Sequence, residues 1–398
     1  MPTNQFDATR SLLGYIYQIR YGLLVSLKKM REVDDPDDYF VSIETIDDIA
    51  FDKDGTPEEL LQTKYHSNPG NLNNKSPDIW KTIRVWVESY KRNQLDLINC
   101  SLFLITTEKI EEGSLAELLS NSVHRNPNSA YEMMKVIAKD KPSQKNKEAF
   151  AAFNSLTEYE QKKFAECIYV MDNSENLVEI EKHLSMNLRG MVQESQLEPL
   201  LTRLEGKWFA TVIKVLECQD GRINLGYLVE TLNDLREQFL PSNLPDDYSS
   251  AEIQDLDIDQ ESRMFLKQLE LIGAGKILLK KALLDFYRAS EQRSRWIDDG
   301  LLKPGELKHY FKKLEEEWLL HFGLAEAKFG LNDDTSKKRL GLEVYSTCQN
   351  EGAKPIRENF IEAYFARGTF HKLADQLVVG WHPDFEALLG DSSKPEVA

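Results

Sequence analysis

The stretch YFVSIETIDDIAFDKDGTPEELLQTKYH, residues 39–66, decides the fold. Two short apolar runs flank a polar turn at Asp52–Thr56. The first run carries three carboxylates, Glu44, Asp47 and Asp48. The second carries Gln62 and Lys64, two residues apart. Residues two apart on a strand share a face, so Gln62 and Lys64 project together, with Leu61, Thr63 and Tyr65 on the other side. If the runs pair as a hairpin, the acids face a lysine across one sheet. Carboxylates are hard oxygen ligands for Mg²⁺. A lysine beside the ion can orient a water or stabilise a charged phosphate transition state. Taken singly, each residue has a plainer reading: Asp47 and Asp48 as a solvated turn, Lys64 as an edge-strand charge.

Outward from this stretch the pattern alternates between helix and strand. Leu12, Leu13, Ile16, Ile19, Leu23, Leu24 and Leu27 fall at helical spacing over residues 8–31. The Asp/Pro cluster at residues 34–38 stops that helix. Ser76 and Pro77 have the chemistry of an N-cap and a first helical residue, opening a helix with Ile79, Trp80, Ile83, Trp86 and Val87 on its apolar face. Both tryptophans read as core. The apolar run 101–107 has the length of a strand covered on both faces. Thr157 and Glu160 form a capping box, Cys167–Met171 is a short strand, and 176–188, 208–216 and 225–240 are helical. Residues 241–262, rich in Pro, Ser and Asp, read as an extended acidic linker. Helices resume at 263–325. Gly273-Ala-Gly275-Lys276 lacks the spacing of a phosphate loop, and His371 and His382 read as structural histidines.

Composition sets the bounds. A chain of 398 residues is long for one domain. It contains no eighteen-residue apolar run and no signal-peptide core near its start. Its four cysteines are scattered without CxxC spacing, which argues against a cysteine zinc site and a disulfide framework. A cytoplasmic location is expected. The net charge of −17 opposes nucleic-acid binding on average. DNA binding would therefore depend on a metal, self-association or a basic partner.

The segments Gly14-Tyr15-Ile16-Tyr17-Gln18, Glu44 to Asp48, Gln62-Thr63-Lys64-Tyr65-His66 and Asp78-Ile79-Trp80-Lys81-Thr82 together resemble the PD-(D/E)xK nuclease domain of bacterial antiphage effectors, including those of cyclic-oligonucleotide and Lamassu systems. The resemblance implies an α/β (α+β) fold: a restriction-endonuclease-like domain over residues 1–240, with its core at about 8–107. It implies metal-dependent phosphodiester hydrolysis with Mg²⁺, or Mn²⁺ in its place. Asp48 and Gln62 would be ligands, Glu44 or Asp47 would complete the shell, and Lys64 would position the attacking water. Asp48 is preferred because the family's acid immediately precedes the apolar strand, here Ile49-Ala50-Phe51. Gln18 would reach the metal site or form a helix-face hydrogen bond. One site cuts one strand, so cleavage of double-stranded DNA implies a homo-oligomer.

Tyr287 to Trp296, Glu306 to Phe322, Arg367 to Leu373 and Trp381-His-Pro383 resemble the helical C-terminal domain of ABC-three-component effectors, placed at 263–398. The two resemblances together match the nuclease subunit of Lamassu systems, with an SMC-like ABC ATPase and a small third subunit as partners and no membrane association. Arg293, Arg295 and Trp296 are candidate partner anchors. Their plainer reading is a core tryptophan with arginines paired to local acids such as Glu291 and Asp298. Two other roles share this sequence: a catalytically degenerate scaffold, and an RNase or nickase on the same core.

Overall fold

A computed structural model describes residues 9–218, 221–252, 261–331, 333–350 and 352–390. The chain divides into two compact units: residues 1–191 with 197–234, and residues 192–196 with 235–398.

The first unit is an α/β sandwich. The periodic opening run forms helix α1, Thr9–Glu32. Strands β1 (Tyr39–Ile43), β2 (Ile49–Lys53) and β3 (Thr56–Lys64) follow. The stretch 39–66 thus makes three strands in place of the expected two. The carboxylate-bearing segment 44–48 is itself a tight turn, with Glu44 N–H donating to the Asp48 carbonyl at 3.1 Å. The second turn is Asp54-Gly55, both at positive φ (50° and 84°), the combination a two-residue type I′ hairpin demands. After β4 (Asn71–Leu72) and α2 (Pro77–Lys91) come β5 (Ser101–Thr106), β6 (Lys109–Ile110) and helices α3 (Leu115–Leu118), α4 (Pro127–Lys139), α5 (Lys147–Asn154) and α6 (Glu158–Cys167). Strand β7 (Ile168–Met171), α7 (Leu177–Leu188), α8 (Leu197–Glu217), β8 (Arg222–Asn224) and α9 (Leu225–Gln238) complete the series. The helix expected at 208–216 is the second half of the longer α8.

The main sheet has the order β7-β5-β3-β2-β1-β8. Strands β1, β2 and β3 are antiparallel, whereas β5 runs parallel to both β3 and β7. The apolar run 101–106 therefore lies inside the sheet, as its unbroken hydrophobicity requires. One face carries Leu60, Leu102, Leu104, Ile168 and Val170, packed with Trp80, Trp86, Phe150, Phe153 and Phe164. On α1, Tyr17, Leu23, Leu24 and Leu27 are fully buried, and α1 packs against β1, β3, α7 and α8.

The second unit is helical: α10 (Met264–Leu271), α11 (Lys276–Asp298), α12 (Glu306–Phe329), α13 (Asp334–Asn350), α14 (Ala363–Asp375) and α15 (Phe385–Leu389). Its centre is the α11–α14 pair. A Cβ on Gly368 would lie 2.1 Å from the Asp285 carbonyl oxygen, so glycine is what lets these two backbones close. The described part of the stretch read as an extended linker packs into this unit. Leu244 is buried, Pro245 O accepts from Trp296 Nε1 at 2.8 Å, and Asp246 accepts from Tyr364. Burial of Leu244 and the Trp296 bond outweigh the segment's polar composition; residues 253–260 lie outside the described residues. Arg295 pairs with Asp299, one turn on, in place of Asp298 or Glu291. Trp296 is core, with no exposed surface.

Candidate active site

The site grows from the β1–β2 turn and the C-terminal end of β3. Ile49 pairs with Leu61, and one further step of that antiparallel register sets Asp48 beside Gln62. The expected juxtaposition is therefore a consequence of strand pairing. Gln62 lies opposite Leu104 and continues the face of Leu60 and Leu102. Its side chain is 6 % exposed and forms no hydrogen bond among the described residues. Asp48 Oδ2 accepts two bonds from Thr63, one from N–H at 2.7 Å and one from the hydroxyl at 2.9 Å. Thr63, expected to point away from the acids, instead fixes the carboxylate and leaves Oδ1 unengaged within the described residues.

Asp47 is differently placed. Trp86 Nε1 donates to Oδ2 at 2.5 Å and Asp48 N–H donates to Oδ1 at 2.9 Å, so both oxygens are engaged inside the protein. Burial pushes its carboxyl up to about 7, against the pull of Trp86. Trp86, read from sequence as core, is core and also braces the turn. Glu44 sits at φ 54° in the left-handed region, a conformation that costs a non-glycine residue about 1–3 kcal/mol. Partial burial raises its pKa and Asp48 adds to the rise, while a hydrogen bond from Gln18 and the charge of Lys64 oppose it. Gln18 Nε2 also donates to the Asp48 carbonyl at 2.5 Å. The glutamine of α1 thus ties that helix to the end of the acidic turn. Lys64 makes no ion pair among the described residues, but its charge acts on both Glu44 and Asp47.

Asp48, Gln62, Glu44 and Lys64 are therefore brought to one end of the sheet. The three carboxylates of the turn do not converge as a ready-made cluster. Among the described residues, the one His/Cys/Asp/Glu group whose ligand atoms all lie within 4.8 Å of one another is His66, Asp78 and Glu108. His66 Nε2 lies 2.6 Å from Asp78 Oδ2, so the Tyr-His end of one motif touches the aspartate opening the next. Sequence spacing carried no sign of Glu108, which the parallel β3–β5 pairing delivers.

In the second unit, His371 is fully buried among Phe265, Tyr345 and Trp381. Neither ring nitrogen has a hydrogen-bond partner among the described residues. His382 Nδ1 accepts from Asp384 N–H at 3.1 Å. Both histidines are structural, and neither belongs to a metal-ligand cluster among the described residues.

Residues 265–389 match the family model described as C-terminal domain 7 of the ABC-three component systems. The match falls within the second unit, which thus carries an ABC-three component domain, and such a system supplies further components as partners. No curated protein matches the chain. No helix among the described residues is long and apolar enough to cross a membrane.

Proposed function

We propose that the chain is the metal-dependent DNA endonuclease of an ABC-three-component defence complex of Lamassu type. The observation that carries this reading is the register that sets Asp48 beside Gln62 with Lys64 one residue-pair further on the same strand face. The donor chemistry fits Mg²⁺: Asp48 keeps one carboxylate oxygen unengaged, and the Gln62 amide has no protein partner among the described residues. Asp48, Gln62 and Glu44 would hold the ion. Asp47, with both oxygens committed to Trp86 and the Asp48 amide, braces the turn. Bound there, Mg²⁺ or Mn²⁺ supplies a Lewis acid and an activated water. Lys64 would orient the attacking water and meet the charge that develops on the phosphate. Gln18 and Thr63 hold the Asp48 backbone and carboxylate in place.

One such site cuts one strand, so cutting a duplex calls for two copies facing opposite polarities. The acidic net charge fits an enzyme that stays off DNA until assembly concentrates it there. The helical unit would hold the chain against an SMC-like ATPase and a small third subunit. The test is Lys64→Ala in the assembled complex. Loss of cutting with assembly intact supports the nuclease; unchanged cutting, or a complex that defends equally well without Lys64, supports a scaffold.

A further inference from the structure

We propose that His66, Asp78 and Glu108 form a second divalent-cation site, selective for ions that accept nitrogen as well as oxygen donors, such as Zn²⁺ or Mn²⁺. It is distinct from the Asp48 set and does not rest on the nuclease reading. Each residue offers one ligand atom, and all three atoms lie within 4.8 Å of one another. With tetrahedral metal–ligand bonds of about 2.0–2.2 Å, two ligands of one ion lie about 3.3–3.6 Å apart. Side-chain rotations of up to about an ångström close the set on an ion, with water filling the remaining position.

The three ligands stand on well-anchored backbone. His66 follows β3, where its N–H donates to Thr107 Oγ1 at 2.9 Å and its carbonyl accepts from the same hydroxyl at 3.2 Å. Glu108 follows β5, its N–H bound to Thr106 Oγ1 at 3.1 Å and its carbonyl to Asn173 N–H at 2.8 Å. Asp78 sits in the first turn of α2, directly after Pro77. The β4–β6 ladder ties the loop after His66 to the segment after Glu108. Gly70 leaves the room this needs: a Cβ there would press to 3.2 Å on Glu108 Oε1. His66 also lines an open cavity of about 150 Å³ with Leu13, Tyr65, Ser67 and Asn68.

The donor set discriminates between ions. Imidazole suits Zn²⁺ and related transition ions, whereas Mg²⁺ prefers all-oxygen shells and surrenders water reluctantly. An ion here would exchange the His66–Asp78 hydrogen bond for two coordinate bonds. It would also lock the loop that follows Lys64 against α2.

The experiment is Zn²⁺ titration of the full-length protein in competition with a chromophoric chelator. An Asp48→Asn background silences the first set. The proposal predicts one bound equivalent in Asp48→Asn, its loss in Asp48→Asn/His66→Ala, and at least about tenfold weaker binding in Asp48→Asn/Glu108→Gln. Zinc-edge X-ray absorption of Asp48→Asn should show a nitrogen–oxygen shell without sulfur, which separates this site from the exposed thiol of Cys218. Should the His66→Ala chain fail to fold, Glu108→Gln and the absorption spectrum carry the test. Equal binding with and without His66 and Glu108, or a sulfur-containing shell, overturns the proposal. Failure of DNA cleavage leaves these readouts unchanged, so the two readings fail separately.

Discussion

His371→Leu should remove an acid-sensitive weakness from the helical unit. The imidazole is fully buried, and neither nitrogen has a hydrogen-bond partner among the described residues. Burial, with the positive charges of Lys281 and Arg367, pushes its pKa down to about 3 from an ordinary 6.5. The folded chain therefore binds this proton more weakly than the unfolded chain. The stability tied to the neutral ring is complete above about pH 6.5 and is lost as pH falls toward 3. At pH 5 the difference spans about 1.5 pH units at about 1.4 kcal/mol each, or about 2 kcal/mol. That is a large share of a domain stability of about 5–15 kcal/mol. Leucine is close in volume and carries no proton, so at pH 8 the variant should lie within about 1.5 kcal/mol of wild type. The assay is calorimetric unfolding of the full chain from pH 8 to pH 5. The transition of the helical unit should fall in wild type and fall by about 2 kcal/mol less in His371→Leu. An identical pH dependence in both proteins would refute the argument from the unpartnered, buried ring.

Three further outcomes follow from particular contacts. Arg357 is nearly buried, pairs with Glu306 at 2.7 Å and also donates to the carbonyls of Asn243 and Leu301. Arg357→Met should destabilise the helical unit by about 3–5 kcal/mol, because it strands Glu306, and in calorimetry it identifies that unit's transition. Trp86→Phe keeps the ring in the core but strips Asp47 of its indole donor; it should cost about 1–3 kcal/mol in urea unfolding at pH 8, less at pH 5, where Asp47 is protonated. Thr63→Val leaves the backbone bond to Asp48 but removes the hydroxyl one, so single-turnover cleavage should slow about tenfold, with the folded-state circular dichroism unchanged.

Much of the architecture could be read from the chain because local signals agreed with tertiary demand. The capping box at Thr157, the polar turn at Asp52–Thr56 and the unbroken apolar run of β5 each specify one element alone. The pairing of Asp48 with Gln62 was legible for the same reason: strand alternation and one tight hairpin fix it. What the sequence hid depends on distant partners. A turn that holds Glu44 at positive φ is invisible until Gln18, thirty residues before Asp48, reaches back to it. The fixing of Asp48 by Thr63 needs the bend of that turn, which simple alternation does not describe. Leu244 and Pro245 sit in a stretch that composition marks as solvated, and only Trp296 reveals their burial. Glu108 comes to His66 and Asp78 through the parallel pairings of β3 with β5 and of β4 with β6.

The central claim is metal-dependent strand cleavage at the end of β3. The most direct measurement is product analysis of supercoiled plasmid incubated with purified protein over a concentration series, with Mg²⁺ or EDTA, beside Asp48→Asn and Lys64→Ala. Where the isolated chain is silent, the same series is run on the complex with its partner components, ATP and linear DNA. The account predicts cutting with Mg²⁺ that rises more steeply than linearly with protein, vanishes in EDTA and vanishes in both variants. Cutting that survives Lys64→Ala and Asp48→Asn, or an assembled complex that cuts nothing with Mg²⁺ present, would contradict it.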